Sequence, residues 1–416
     1  MTDAARLLDD PRLATLFVAL APTGAETRVI GGAVRDVLYG RTPHEIDLAT
    51  TALPDVVMRA AAVAGIKAVP TGIEHGTVTL VVAGTPYEVT TLREDVETDG
   101  RYAKVRFGGD FEQDARRRDF TVNALSLTPD GRLHDYVGGL DDLAARRIRF
   151  IGDAATRIRE DYLRVLRFFR FNASHGAGDF DRDGLHESIL AREELARLSR
   201  ERVRAELLKL LIAGRAPEVM RAMSRAGVIE VILGVGYPAR LERLAAFETA
   251  QGKKPDAVLR LAAFAVLTIE DAERLRDRLR LSNDEAARLS SAAKTLAALH
   301  GLETPPPVSH LREMLFVCGA RAARDGLALA FAASGATPDD SRWLEAARYL
   351  DETPVPVFPL KGADLIARGL APGKKLGETL NALQKAWIRA GFPRDPAVLQ
   401  ALVEGATGVV GDLLDP

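Results

Sequence analysis

The stretch from Val29 to Thr51, VIGGAVRDVLYGRTPHEIDLATT, constrains this chain more than any other. Val29 and Ile30 are β-branched and run into the glycine pair Gly31-Gly32, so they read as a buried strand closed by a turn. Ala33 to Tyr39 have helical composition, and Gly40 supplies a stop where a left-handed residue is wanted. Backbone N–H groups at the start of such a helix form an anion site, and only glycine lets a phosphate come that close. A second strand follows with Glu45 and Asp47 two residues apart, a spacing that turns both carboxylates the same way. Two carboxylates beside a phosphate cradle are what divalent-metal nucleotide chemistry needs.

The rest of the chain places that unit in an α+β frame. Segments His75 to Ala83 and Tyr87 to Leu92 are β-branched and joined by Gly84-Thr85-Pro86, which predicts a hairpin, and Pro54 to Ala64 reads as a helix. Beyond Arg149 nearly every segment has helical periodicity broken by Gly and Pro clusters. The expected division is a mixed-sheet head over 1–150, a helical neck over 151–215, a helical body over 216–300 and a helical tail over 301–416. A net charge of -2 excludes a global basic field, although a local stripe of arginine suffices for nucleic acid. Cys318, the single cysteine, lies in the apolar run LFVCGA and reads as a small core residue. The N-terminus lacks a basic region followed by an apolar one, and no apolar run approaches the roughly 18 residues of a membrane span, so a cytoplasmic location is expected. His134-Asp135 has the form of a hydrolase metal doublet, but the seven histidines are scattered and show no metal spacing.

Five segments occur in order: GGAVRD from Gly31, EID from Glu45, RRDFTVNAL from Arg117, DYVGGLDDLAARRIR from Asp135 and EDYLRVLRFFRF from Glu160. Together they resemble the class II tRNA nucleotidyltransferases and bacterial poly(A) polymerases, of the DNA polymerase beta superfamily. The resemblance covers the first half of the chain firmly and the second half loosely. It implies a nucleotidyltransferase in which Glu45 and Asp47 are catalytic metal ligands, with Glu standing where many members have Asp. It also implies a third carboxylate on a neighbouring strand. Glu88 in YEVTTLR is the best placed, and it reads equally well as a surface residue. The implied ion is Mg²⁺, which suits hard oxygen ligands and a triphosphate. Gly32 would expose backbone N–H groups to the triphosphate, while Arg35 and Arg118 would meet it with charge and a planar fork.

Asp161, Arg164, Arg167 and Arg170 recur every three residues, which on a helix lays them along a slowly turning stripe. By resemblance, Asp161 and Arg164 read the incoming base, and Arg167 and Arg170 make further nucleotide contacts. An ionised Asp only accepts and an Arg only donates, which suits the amino group and ring nitrogen of cytosine or adenine. Uracil and guanine would set an oxygen against the carboxylate. The polar stretch Arg93 to Asp110 resembles the flexible loop that family members use when switching from C to A. Arg200 to Lys209 matches the neck helix. In the tail, Lys361, Lys374 and Lys375 accompany glycines that allow close approach of RNA phosphates. The expected partners are the 3′ acceptor end of tRNA with CTP and ATP, with no membrane and no obligatory protein partner evident. The expected reaction is template-independent addition of C, C and A with release of pyrophosphate. A poly(A) polymerase, an enzyme restricted to CC or to A addition, and a non-catalytic RNA-binding scaffold remain as alternatives.

Overall fold

A seven-stranded mixed sheet puts the acidic strand at its centre, in the order β3-β4-β5-β2-β1-β8-β9. The strands are β1 (Thr27–Ile30), β2 (Asp47–Thr50), β3 (Lys67–Gly72), β4 (Thr77–Val82), β5 (Thr85–Thr91), β8 (Ser126–Leu127) and β9 (Leu133–His134), with β6 (Arg93–Asp99) and β7 (Tyr102–Phe107) forming a separate ribbon. The computed structural model describes residues 3–99 and 102–411. Its backbone divides into two compact units, Met1–Val235 and Gly236–Pro416. The first is α+β and the second is helical throughout.

All four residues of β1 are buried, as a strand with neighbours on both edges requires. Beside the sheet in the first unit lie α1 (Pro11–Leu20), α2 (Gly32–Leu38), α3 (Pro54–Val63), α4 (Phe111–Arg116) and α5 (Gly139–Ala144). They are followed by α6 (Ala154–Glu160), α7 (Leu163–Ser174), α8 (Arg182–Leu190) and α9 (Arg200–Leu211). The β4–β5 hairpin turns at Ala83-Gly84, both left-handed, a pair that matches the twist of the flanking strands. Thr85 and Pro86 therefore belong to β5 rather than to the turn. Proline is tolerated there because β2 pairs with β5 only over Glu88 to Thr91, leaving no ladder on that side for a missing N–H.

The stretch read as a loop from Arg93 to Asp110 is largely the antiparallel ribbon β6–β7, paired from Arg93↔Phe107 to Asp99↔Tyr102 with a one-residue register shift between Asp95 and Glu97. The sequence explains the difference: Tyr102, Val105 and Phe107 are good strand formers that charge had masked. Its tip at 100–101 lies outside the described residues.

Within the first unit an aromatic cluster fixes α7 beside the segment that follows α4. Phe120 forms a backbone bridge with Phe150, their tilted rings 4.9 Å apart between centroids, and it also meets Phe171 of α7 at 5.1 Å. Phe150 lies against Phe168 at 5.5 Å. Such pairs contribute about 0.5–1.5 kcal/mol each beyond burial, so the loop bearing Arg118 and Asp119 is held rigidly beside α7. The DYVGGLDD segment serves the same end. Asp135 accepts four backbone N–H groups, from Val137, Gly138, Gly139 and Leu140, at 2.9–3.1 Å, and so caps α5. Gly139 is obligatory, since a Cβ there would lie 2.3 Å from the Thr121 carbonyl.

In the second unit the long helix Val308–Ala333 breaks at Gly319, whose φ of 80° only glycine adopts easily. The kink corrects the expectation for Cys318, which is exposed rather than in the core. The apolar stripe of Leu311, Met314 and Leu315 stops at the kink instead of continuing through residue 318. Among the described residues no helix is long and apolar enough to cross a membrane.

Candidate active site

The bend between β1 and α2 is built around Gly31, in the left-handed region with φ 69°. The conformation favours glycine, and a Cβ there would come 2.8 Å from an Arg118 guanidinium nitrogen, so a side chain would displace that guanidinium from the bend. Across the ladder, Ile30, the residue before this bend, pairs with Asp47. On the other side Asp47 stands in parallel register with Glu88. Directly paired residues share a face of the sheet, and adjacent strands lie about 4.8 Å apart, so these two carboxylates are neighbours.

Glu45 precedes β2 rather than lying within it. Glu45 and Asp47 nevertheless line one recess, while Ile46 between them lines a different one. The recess holds about 600 Å³ and gathers Gly32, Arg35, Arg118, Asp161, Arg164 and Arg167 around those acids. Glu88 and Arg170 are not among its lining residues. Asp47 is exposed by surface area, yet it sits low in the recess. That setting pushes its carboxyl above the usual carboxylate value, Glu88 and Glu45 push it further, and Arg118 opposes them. Among the described residues no group of three or more Asp, Glu, His or Cys is placed to hold a metal ion by itself. The crowded carboxylates still fit a cation, because a positive charge relieves the repulsion that raises Asp47. An open arrangement suits an ion that takes further oxygens from a phosphate.

The arginines are held before any nucleotide arrives. Arg35 is buried, donates to Asn123 Oδ1 at 2.5 Å and to Asp36 at 2.7 and 2.9 Å, and lies over the Phe171 ring. Arg118 donates to Asp114 at 2.9 and 3.1 Å and to the Asn123 carbonyl at 3.2 Å. Arg167 donates to Asp119 at 2.8 and 2.5 Å, and Arg170 pairs with Glu206 while covering Phe171.

The stripe expected of Asp161 to Arg170 is interrupted. Asp161 is extended, with φ -158° and ψ 108°, and joins α6 to α7 rather than sitting on a helix. Arg164 and Arg167 are on α7, and all three still face the recess. Glu160 pairs with Arg164 one turn away, whereas the partners of Arg167, Arg170 and Asp161 come from distant elements that no local search reaches. Asp114, Asn123, Arg202 and Glu206 carry no role in the sequence reading. Asp114 stands four residues before Arg118, and Arg202 and Glu206 are four apart on α9, so each carried a helical-face signal.

The tail lysines belong to the second unit. Lys361 precedes a short helix, Gly362–Ile366, with its backbone N–H capped by Asp364 at 2.7 Å. Lys374 and Lys375 begin the helix Lys374–Arg389, whose Leu376 packs near Gly362. All three lysines are exposed.

Residues 27–149 match the family described as the poly A polymerase head domain, and residues 190–236 match a probable RNA- and SrmB-binding site of polymerase A. The mitochondrial CCA tRNA nucleotidyltransferase 1 of Danio rerio is 34% identical over 88% of this chain and 84% of its own length. The chain belongs to the class II CCA-adding enzyme and poly(A) polymerase family. The CCA-adding enzyme of Streptococcus gordonii is 31% identical over 92% of this chain and 94% of its own. Among solved structures, the Bacillus stearothermophilus CCA-adding enzyme in complex with CTP superposes with a TM-score of 0.74 at 26% identity, covering 97% and 98% of the two chains. Membership in this nucleotidyltransferase family brings with it use of a divalent metal.

Proposed function

We propose that this enzyme adds C, C and A in turn to the 3′ end of tRNA from CTP and ATP, without a nucleic-acid template. The observation that carries the reading is one recess that gathers the glycine bend, the acidic pair, Arg118 and the Asp161–Arg164 pair. It does so in a chain that aligns almost end to end with CCA-adding enzymes. The 3′-hydroxyl of the RNA attacks the α-phosphorus of the nucleotide. A new P–O bond forms, the bond to the β-phosphate oxygen breaks, and pyrophosphate leaves.

Glu45 and Asp47 would hold Mg²⁺, with Glu88 beside Asp47 as a further candidate, and the ion would activate the attacking oxygen and neutralise the departing one. The Gly32 backbone, Arg35 and Arg118 orient the triphosphate, and their existing bonds to Asn123, Asp36 and Asp114 spare the cost of ordering them. Asp161 accepts from the exocyclic amine of cytosine or adenine, and Arg164 donates to the ring nitrogen beside it. Uracil or guanine would set an acceptor oxygen against the Asp161 carboxylate, which can only accept, so neither is held there. Arg167 and Arg170 extend the nucleotide-binding side. Lys361, Lys374 and Lys375 in the tail meet RNA phosphates, within a working division into head, neck, body and tail at 150, 215 and 300.

The family also contains poly(A) polymerases, and the head match carries their description. The deciding experiment supplies tRNAs ending before CCA, after C and after CC with each labelled nucleotide, with and without Mg²⁺. Ordered C, C, A incorporation that stops at A and is abolished by chelation is expected. Continued A addition would overturn the reading in favour of poly(A) synthesis.

A further inference from the structure

Asp161 and Arg164 stand three residues apart on one recess, and an acid and an arginine that close are natural partners for each other. If they paired, both charges would be satisfied and neither would be open to a base. Here each is held elsewhere. Arg202 of α9 donates to Asp161 Oδ2 at 2.6 Å, and the backbone N–H of Leu163 donates to Oδ1 at 3.1 Å. Arg164 donates to the Arg157 carbonyl at 2.9 Å and pairs with Glu160. One turn beyond Arg202, Glu206 pairs with Arg170 and reaches Arg167 at 3.7 Å.

We infer that Arg202 is a positioning residue for base selection: by anchoring Asp161 it keeps that carboxylate directed at the base and away from Arg164. The inference rests on the base-reading role proposed for Asp161. A carboxylate has about four acceptor sites, and Arg202 with Leu163 uses two, which leaves capacity for an amino group. The side chains of Arg202 and Asp161 are 36% and 29% exposed, so the pair lies at a wet rim, where ion pairs contribute little to folding. Its effect is on orientation, and a lysine would preserve the charge without the planar fork.

The test compares kcat and KM for CTP, UTP, ATP and GTP in the wild type, Arg202→Gln, Arg202→Lys, Asp161→Ala and the Asp161→Ala/Arg202→Gln double variant, with urea midpoints alongside. Arg202→Gln is expected to keep its midpoint, lose about tenfold or more in kcat/KM for CTP and ATP, and narrow the preference for CTP over UTP. Lysine should restore part of that preference. In the Asp161→Ala background the second substitution should change selectivity no further, because Arg202 acts through that carboxylate. Full CTP preference in Arg202→Gln, with Asp161→Ala already unselective, overturns the positioning role while leaving the base-reading role standing. Wild-type selectivity in Asp161→Ala overturns both.

Discussion

The two ends of the recess handle charge in opposite ways. At the acidic end Glu45 and, from the next strand, Glu88 both repel Asp47, and no ion pair to any of the three is found among the described residues. At the selecting end Asp119 matches Arg167, Arg202 matches Asp161 and Glu160 matches Arg164, and outside the recess lining Glu206 matches Arg170. Uncompensated charge is what a site keeps when a cation and a phosphate are to complete it. Compensated charge fixes geometry before the nucleotide arrives, which is where discrimination between bases has to come from.

Removing charge should therefore have opposite consequences at the two ends. Asp47→Asn is expected to lower nucleotide incorporation by about 10³-fold or more, the loss of several kcal/mol of charge stabilisation in the transition state. Its urea midpoint without metal should equal or exceed the wild type, because a repelling carboxylate has gone. Incorporation near the wild-type rate would remove the acidic end from the chemistry. Asp119→Asn is the counterpart at the matched end. Asp119 is buried and accepts from Arg167, Asn123 and the Phe120 backbone. Loss of its charge should destabilise the first unit by about 1.5–3 kcal/mol, read as a lower urea midpoint. Equal midpoints for the two variants would mean that the contrast between the ends has no energetic content.

How much of this was legible beforehand follows from the range of each interaction. The glycine bend and α2 are set by neighbours within a few residues, and the structure places them as their composition suggests, whereas Glu45 falls just before β2 rather than on it. The nearness of Glu88 to Asp47 depends on which strands pair, and only the family resemblance marked it as a candidate. The partners of Arg167, Arg170 and Asp161 lie 36 to 48 residues away, beyond any local pattern. Asp161 itself misled, because a three-residue recurrence fits a helix, whereas its side chain accepts the Leu163 N–H in the link between two helices. The β6–β7 ribbon was hidden by its charge, which outweighed strand-forming residues in the reading of a loop.

The smallest expected effect sharpens the contrast through pH. Burial alone would raise the Asp114 carboxyl, but Arg118 and Arg117 outweigh it and hold the group below the usual carboxylate value. The folded value then lies below the unfolded value of about 3.9, so the unfolded chain takes up the proton first as pH falls. The stabilisation is complete above that unfolded value and is lost as pH drops through the depressed folded one. Urea unfolding of the wild type between pH 7 and pH 3 should show this decline. Asp114→Asn should begin about 1 kcal/mol lower at pH 7 and lose less on acidification. Because Asp114 is the carboxylate that holds Arg118 beside Gly31, the same variant should raise KM for both nucleotides more than it lowers kcat. Parallel acid declines in the two proteins would show that this pair is not what acid removes, and an unchanged KM would detach Arg118 from the triphosphate.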